Sequence, residues 1–223
     1  ESVSVIYIGQ ENGVHSGAIR TKNGILISAS DASTNNKLAR FTANSQGNRL
    51  KRVQISENIY DPQTRPWYIA AKAAKKPVWT QIYTDFLTRD LAITAAMPIY
   101  DDSGNLLGVT ASDLLFSRIK EFLAGIKIGK TGQTFLMERS GVLIATSTAS
   151  EELAVQGKEV KRIKASESDN PVIRETSKYL EKSYGNLAKI NNSQQITFEV
   201  QGKRKFIQVA PFKDDRGLDW LIV

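Results

Sequence analysis

The stretch Y-D-P-Q-T-R-P-W-Y, from Tyr60 to Tyr68, gathers three large aromatics, one arginine and two prolines into nine residues. Pro66 has its φ fixed near the helical value and suits a first helical turn. The residue before a proline is driven toward extended geometry, so Arg65 is expected just outside a helix that begins at Pro66. A guanidinium beside the unpaired N–H groups of a helix start can hold a carboxylate or a phosphate. Tyr60, Trp67 and Tyr68 would wall such a pocket with apolar faces and polar edges; the plainer reading is that they plug a core.

A ligand gripped at one end by a cation needs a partner at the other. In W-T-Q-I-Y-T-D-F, Tyr83 and Asp85 stand two apart and are expected on one face of a strand. Asp113 closes the apolar strand V-T-A-S-D. An aspartate there is either the N-cap of the next helix or a pocket acid.

Other chemistries find little support. There is no cysteine, which excludes disulfides, thiolate catalysis and cysteine-bound zinc. The only histidine, His15, lies in the polar run E-N-G-V-H-S-G and is expected at a surface or turn. A serine–histidine site or a multi-histidine metal site within one chain is thereby excluded, and no cofactor is expected. G-K-T at Gly129–Thr131 lacks the earlier glycine of a P-loop, since that position is Ala124, and the strand-like T-F-L-M-E follows where a P-loop needs a helix. D-D-S-G-N at Asp101 starts like a calcium loop, but Leu106, Leu107 and Val109 stand where ligands would be, so it is expected to be a hairpin turn. No carboxylate pair stands beside a nucleophile or proton donor, so an enzyme has nothing to rest on. The net charge of +7 is spread along the chain with no recognition-helix spacing, and no nucleic-acid partner is expected.

The elements that must position these residues come from pattern. The 223 residues suit one large domain or two small ones. N-G-I-L-I-S-A-S (Asn23–Ser30) returns as S-G-V-L-I-A-T-S (Ser140–Ser147), with the glycines 117 positions apart. P-I-Y-D-D-S-G (Pro98–Gly104) returns as P-F-K-D-D-R-G (Pro211–Gly217), with the prolines 113 apart. Two matches at nearly one offset predict two tandem copies of a small α+β fold, each a mostly antiparallel sheet with helices. Alternation and β-branched residues predict strands in V-S-V-I-Y-I, G-I-L-I-S-A, L-A-I-T-A-A-M, L-L-G-V-T-A-S, T-F-L-M-E, G-V-L-I-A-T, I-T-F-E-V, K-F-I-Q-V-A and W-L-I-V. Turns are expected at N-S-Q-G-N, D-D-S-G-N, E-R-S-G and V-Q-G-K. Helices are expected at P-W-Y-I-A-A-K-A-A-K, F-S-R-I-K-E-F-L-A and P-V-I-R-E-T-S-K-Y-L-E-K-S. The middle helix is the natural connector, dividing a module over 1–118 from a module over 119–223. The polar stretch Glu151–Asn170 is expected to be a long loop.

The spans D-P-Q-T-R-P-W-Y, P-V-W-T-Q-I-Y-T-D-F, L-A-I-T-A-A-M-P-I-Y-D-D-S-G-N-L-L-G-V and I-G-K-T-G-Q-T-F-L-M-E-R-S-G-V-L-I-A-T-S resemble the double Cache family. These are extracytoplasmic sensor regions of bacterial and archaeal chemoreceptors, histidine kinases and nucleotide cyclases, built of two PAS-like modules. The resemblance covers nearly the whole chain. It implies a subset that binds amino acids through Tyr60, Arg65, Trp67, Tyr68, Tyr83 and Asp113, with Asp85 as an accessory acid. Arg65 and Trp67, with Tyr60, would hold the α-carboxylate, and Tyr83 and Asp113, with Asp85 nearby, the α-ammonium. It favours ligand contact over capping for Asp113. The membrane-distal module would bind and the second, which has no such set, would transmit. The expected chain is a piece of a longer protein, lying in the periplasm or outside the cell and attached to the membrane by transmembrane helices beyond this chain. A homodimer would depend largely on a long N-terminal helix that this sequence lacks. Rival readings keep the fold with an amine, purine or small organic acid as ligand, or make it a protein-interaction module that senses nothing.

Overall fold

The computed structural model describes residues 5–126, 128, 129, 131–148, 153–156, 159–200 and 202–223. The chain divides into two compact units, Glu1–Leu115 and Phe116–Val223.

The first unit is one antiparallel sheet with one helix. Its elements are β1 (Val5–Gln10), β2 (His15–Thr21), β3 (Gly24–Ser30), β4 (Lys37–Ala43), β5 (Arg49–Ile59), α1 (Pro66–Ala74), β6 (Val78–Trp79), β7 (Tyr83–Thr84), β8 (Leu91–Tyr100) and β9 (Leu106–Leu115). The strand order is β5-β4-β3-β2-β1-β9-β8-β6, and β7 also pairs with β8. Helix α1 begins at Pro66 after an extended Arg65 and ends at Lys75 in a left-handed conformation, as the proline and the alanine run predict. It buries Trp67, Tyr68 and Ala71 in a core shared with Tyr7, Ala96, Val109 and Ala111.

The second unit holds α2 (Phe116–Gly125), β10 (Phe135–Glu138), β11 (Leu143–Thr146), β12 (Leu153–Gln156), β13 (Glu159–Arg162), α3 (Pro171–Tyr184), β14 (Gln194–Val200), β15 (Lys203–Lys213) and β16 (Asp219–Ile222). Its main sheet has the order β11-β10-β16-β15-β14. Met137, Leu143, Ile173, Leu180, Val209 and Leu221 form the centre of its core. Helix α2 buries Phe116, Ile119 and Leu123, the apolar face its spacing predicts.

The two units share a strand order. β2-β1-β9-β8-β6 in the first corresponds to β11-β10-β16-β15-β14 in the second, a PAS-like arrangement. The repeated D-D-x-G turns fall on equivalent hairpins, β8–β9 and β15–β16. The other repeat does not. Gly141 turns between β10 and β11, and β10 pairs with β16, the final strand of its unit. The equivalent turn in the first unit is at Gly13, between β1 and β2, because β1 pairs with the final strand β9. Gly24 turns one hairpin later, between β2 and β3. The first unit therefore carries an extension, β3–β5, beyond the shared five strands.

Three expectations are corrected. Glu151–Asn170 is not one long loop: β12 and β13 pair as a two-stranded ribbon, and Ala165–Glu167 forms a 3-10 turn. Strands of four residues give too few alternations for a period to be read. Tyr83 and Asp85 do not share a strand, because β7 ends at Thr84. His15 is not at the surface; it is buried, 3% exposed, within β2. Strands β2, β4, β5 and β6 were not expected. β5 exposes every residue except Ser56, so no buried face marks it. The expected turns at N-S-Q-G-N, D-D-S-G-N and E-R-S-G each join two antiparallel strands. Lys130 of G-K-T and Gln201 of V-Q-G-K lie outside the described residues.

Candidate ligand-binding site

The sheet of the first unit forms the floor of a cavity with about 450 Å³ of empty space, part of it open to solvent. One row of paired residues crosses the floor: Tyr7 on β1 faces Gly17 on β2, Gly17 faces Ser28 on β3, and Ser28 faces Arg40 on β4. Directly opposed residues project from the same face of a sheet. Gly17 keeps this row low. A Cβ there would lie 2.5 Å from the Tyr7 Cβ and 2.8 Å from the Ser28 Oγ. Gly9 serves the wall in the same way, since a Cβ on it would lie 2.7 Å from the Trp67 ring.

Aromatic rings surround the floor edge to face. Tyr7 meets Trp67 at 4.9 Å between ring centroids, His15 meets Tyr60 at 5.2 Å and Tyr60 meets Phe86 at 5.0 Å. Arg65, the residue before α1, lays its guanidinium over Phe86 at 5.0 Å and over Tyr60 at 5.9 Å. Cation–π contact orients the group while its N–H donors enter no ion pair among the described residues. Asp85 holds this arrangement from behind. Its Oδ1 accepts from the Thr88 N–H at 2.7 Å, the Thr88 hydroxyl at 2.6 Å and the Leu87 N–H at 3.2 Å. The turn so fixed carries Phe86.

Asp113 stands within β9 rather than at a helix cap. Its Oδ1 accepts from the Tyr7 hydroxyl at 2.5 Å and from the Thr94 hydroxyl at 2.6 Å. The Tyr83 hydroxyl lies 2.7 Å from Thr94 Oγ1, so Tyr83, Thr94 and Asp113 form a relay. Burial raises the carboxyl above the usual range, opposed by the hydrogen bonds from Thr94 and Tyr7. Burial likewise raises the Tyr7, Tyr60 and Tyr83 phenols, so all three stay protonated donors. It also holds the His15 imidazole down to about 4, and the ring is neutral at pH 7. His15 Nε2 lies 3.2 Å from Ser28 Oγ.

The structure thus brings six of the seven expected residues to one cavity: Tyr60, Arg65, Trp67, Tyr83, Asp85 and Asp113 line it. Tyr68 does not. It is fully buried on the sheet side of α1 and its hydroxyl donates to Glu11 Oε1 at 2.6 Å. Glu11 also pairs with Lys72 at 2.9 Å, so Tyr68 ties α1 to the β1–β2 turn. Tyr7, His15, Ser28, Arg40 and Phe86 also line the cavity, and sequence reasoning missed them. Tyr7 sits on the inward beat of V-I-Y-I, which was legible. Arg40, in K-L-A-R, reads as one of many scattered cations. Among the described residues no three His, Cys, Asp or Glu side chains cluster to hold a metal.

Fold and cavity define a tandem PAS-like α+β protein whose first unit carries an aromatic-walled cavity with two cations and two carboxylates on its walls. A family model described as Cache domain, of the double Cache type, matches residues 12–223. The chain belongs to that family. McpC, a methyl-accepting chemotaxis protein of Bacillus subtilis, is 39% identical over 87 residues, 39% of this chain and 13% of that protein. PctB, a methyl-accepting chemotaxis protein of Pseudomonas aeruginosa, is 26% identical over 164 residues, 73% of this chain and 22% of that protein. The chain therefore spans 13% and 22% of these two relatives. The solved ligand-binding domain of PctB, an amino acid chemoreceptor, in complex with L-Arg, has a TM-score of 0.50 at 20% identity, covering 99% of this chain and 70% of that one. That likeness is one of fold. Among the described residues no helix is long and apolar enough to cross a membrane.

Proposed function

We propose that this chain is the extracytoplasmic sensor region of a transmembrane signalling receptor, and that the cavity of its first unit takes a free L-amino acid. One observation carries the reading: an arginine and an aspartate, Arg65 and Asp113, line the same partly buried cavity. An amino acid offers a carboxylate and an ammonium on one carbon, so each buried charge finds its opposite. Arg65, with Trp67 and Tyr60, holds the α-carboxylate. Asp113 holds the α-ammonium through Oδ2, its Oδ1 being taken by Tyr7 and Thr94. Tyr83 steadies it through Thr94, and Asp85 adds negative charge nearby. Tyr68 supports the wall without touching ligand. An amine alone leaves Arg65 unmatched, and an organic acid alone leaves Asp113 unmatched.

The named relatives, methyl-accepting chemotaxis proteins, and the L-Arg seen in the PctB domain support this reading. Binding biases one arrangement of the first unit, and the second unit passes the bias toward a transmembrane helix and an output domain outside this chain. The chain itself performs no catalysis. Blocked ligands test the zwitterion requirement. Relative to the free amino acid, its carboxamide and its N-acetyl derivative are each expected to bind at least about 100-fold more weakly. Equal affinity for either derivative would overturn the reading.

A further inference from the structure

Arg40 is the cation that zwitterion recognition leaves unused. It rises from β4, in the extension β3–β5 that the first unit adds to the shared strand order, and it lines the cavity. Its strand lies four positions across the sheet from β9, which carries Asp113. Its Nη1 donates to Gln54 Oε1 at 3.2 Å, which fixes the head. Its Nε is buried with no hydrogen-bond partner. The other such atom among the described residues of the first unit is His15 Nδ1, on the same cavity wall. A buried donor without an acceptor costs stability, and an arginine left so at Nε on the cavity lining asks for an oxygen from the occupant. Burial lowers the Arg40 guanidinium from its ordinary value, opposed from a distance by Asp85 and Asp113, neither of which forms an ion pair with it.

We propose that Arg40 reads the side chain of the bound amino acid, so that the cavity prefers ligands with a side-chain carboxylate, then those with a carboxamide, over apolar ones. The inference rests on the amino-acid reading above. Arg65 takes the α-carboxylate, and the second guanidinium takes the distal oxygen. The neutral His15 ring adds a second donor at Nδ1 when its Nε2 accepts from the Ser28 hydroxyl.

Calorimetric titration of the 223-residue protein with L-aspartate, L-glutamate, L-asparagine, L-glutamine and L-alanine tests this, beside Arg40→Gln and Arg40→Lys. In the wild type, aspartate or glutamate is expected to bind at least about tenfold more tightly than alanine, as a charge-assisted hydrogen bond provides. Arg40→Gln should lose that tenfold for the acids while alanine changes by less than about threefold. Arg40→Lys keeps the charge without the fork and should fall between them. Thermal unfolding of both variants checks that they fold. Equal wild-type affinity for alanine and the acids, or equal weakening of all five ligands by Arg40→Gln, overturns the inference and leaves Arg40 as a counter-charge for Asp85 and Asp113. Failure of the wild type to bind any amino acid overturns the amino-acid reading, and this inference with it.

Discussion

The only histidine shows how a single residue's setting escapes a linear reading. Its neighbours in E-N-G-V-H-S-G are polar, yet β2 turns His15 inward between Tyr7 and Tyr60. Burial lowers the imidazole from 6.5 to about 4. The unfolded chain therefore takes up a proton near the ordinary value while the folded chain resists it. Stability owed to the neutral ring is complete above 6.5 and is lost as pH falls toward 4. Chemical denaturation at pH 7 and pH 4.5 is expected to show a wild-type loss about 2 kcal/mol larger than that of His15→Gln. Equal losses would place the ring in water. Asp113 has the opposite sign. Burial raises its carboxyl, so a proton stabilises the folded protein relative to Asp113→Asn as pH falls through the raised value. The same proton competes with a ligand ammonium. Amino-acid affinity should therefore weaken as pH drops through that value in the wild type and stay flat in Asp113→Asn, already reduced at least about 100-fold. A wild-type profile as flat as that of the variant would remove Asp113 from the ammonium site.

Elements were read most reliably where one face is buried and the run is long. The three helices and the D-D-x-G hairpins are of this kind. Strand β5 is exposed along nearly its whole length, and β2 holds Gly17 among mostly half-buried residues, so neither carries a two-residue beat. The first-unit repeat was read one hairpin late because I-L-I-S-A-S looks more like L-I-A-T-S than the true counterpart H-S-G-A-I-R does. That counterpart carries small residues, Ser16, Gly17 and Ala18, at its centre, and a Cβ at Gly17 would meet Tyr7 and Ser28. Filling Gly17 tests the point. Gly17→Ala drives a Cβ into Tyr7 and Ser28 and is expected to destabilise by about 1–3 kcal/mol in urea denaturation, with amino-acid binding weakened through displacement of Tyr7. Wild-type stability and affinity in this variant would show that the floor yields freely.

The chain as a whole repeats one strand order but gives its two copies different surroundings. The first adds β3–β5 and with them Ser28, Leu38 and Arg40 on the cavity wall. The second lacks the arginine and Trp-Tyr pair that the first carries. The residues around Arg65 were legible because they lie together in sequence. Arg40 was not, because only sheet pairing brings β4 to the cavity. If the first unit alone binds, ligand at about 100 times its dissociation constant should stabilise that unit by about 2.7 kcal/mol and leave the second unchanged, read by hydrogen exchange resolved to each unit. Equal protection of both units would contradict a division between binding and transmission.

The most direct test of the central claim is calorimetric titration of the purified protein with each of the twenty L-amino acids, beside Arg65→Ala. Heat of binding for one or more of them, abolished in the variant while its fold persists, is the predicted result. A folded wild type that takes up none of them, or an Arg65→Ala variant that binds undiminished, would contradict it.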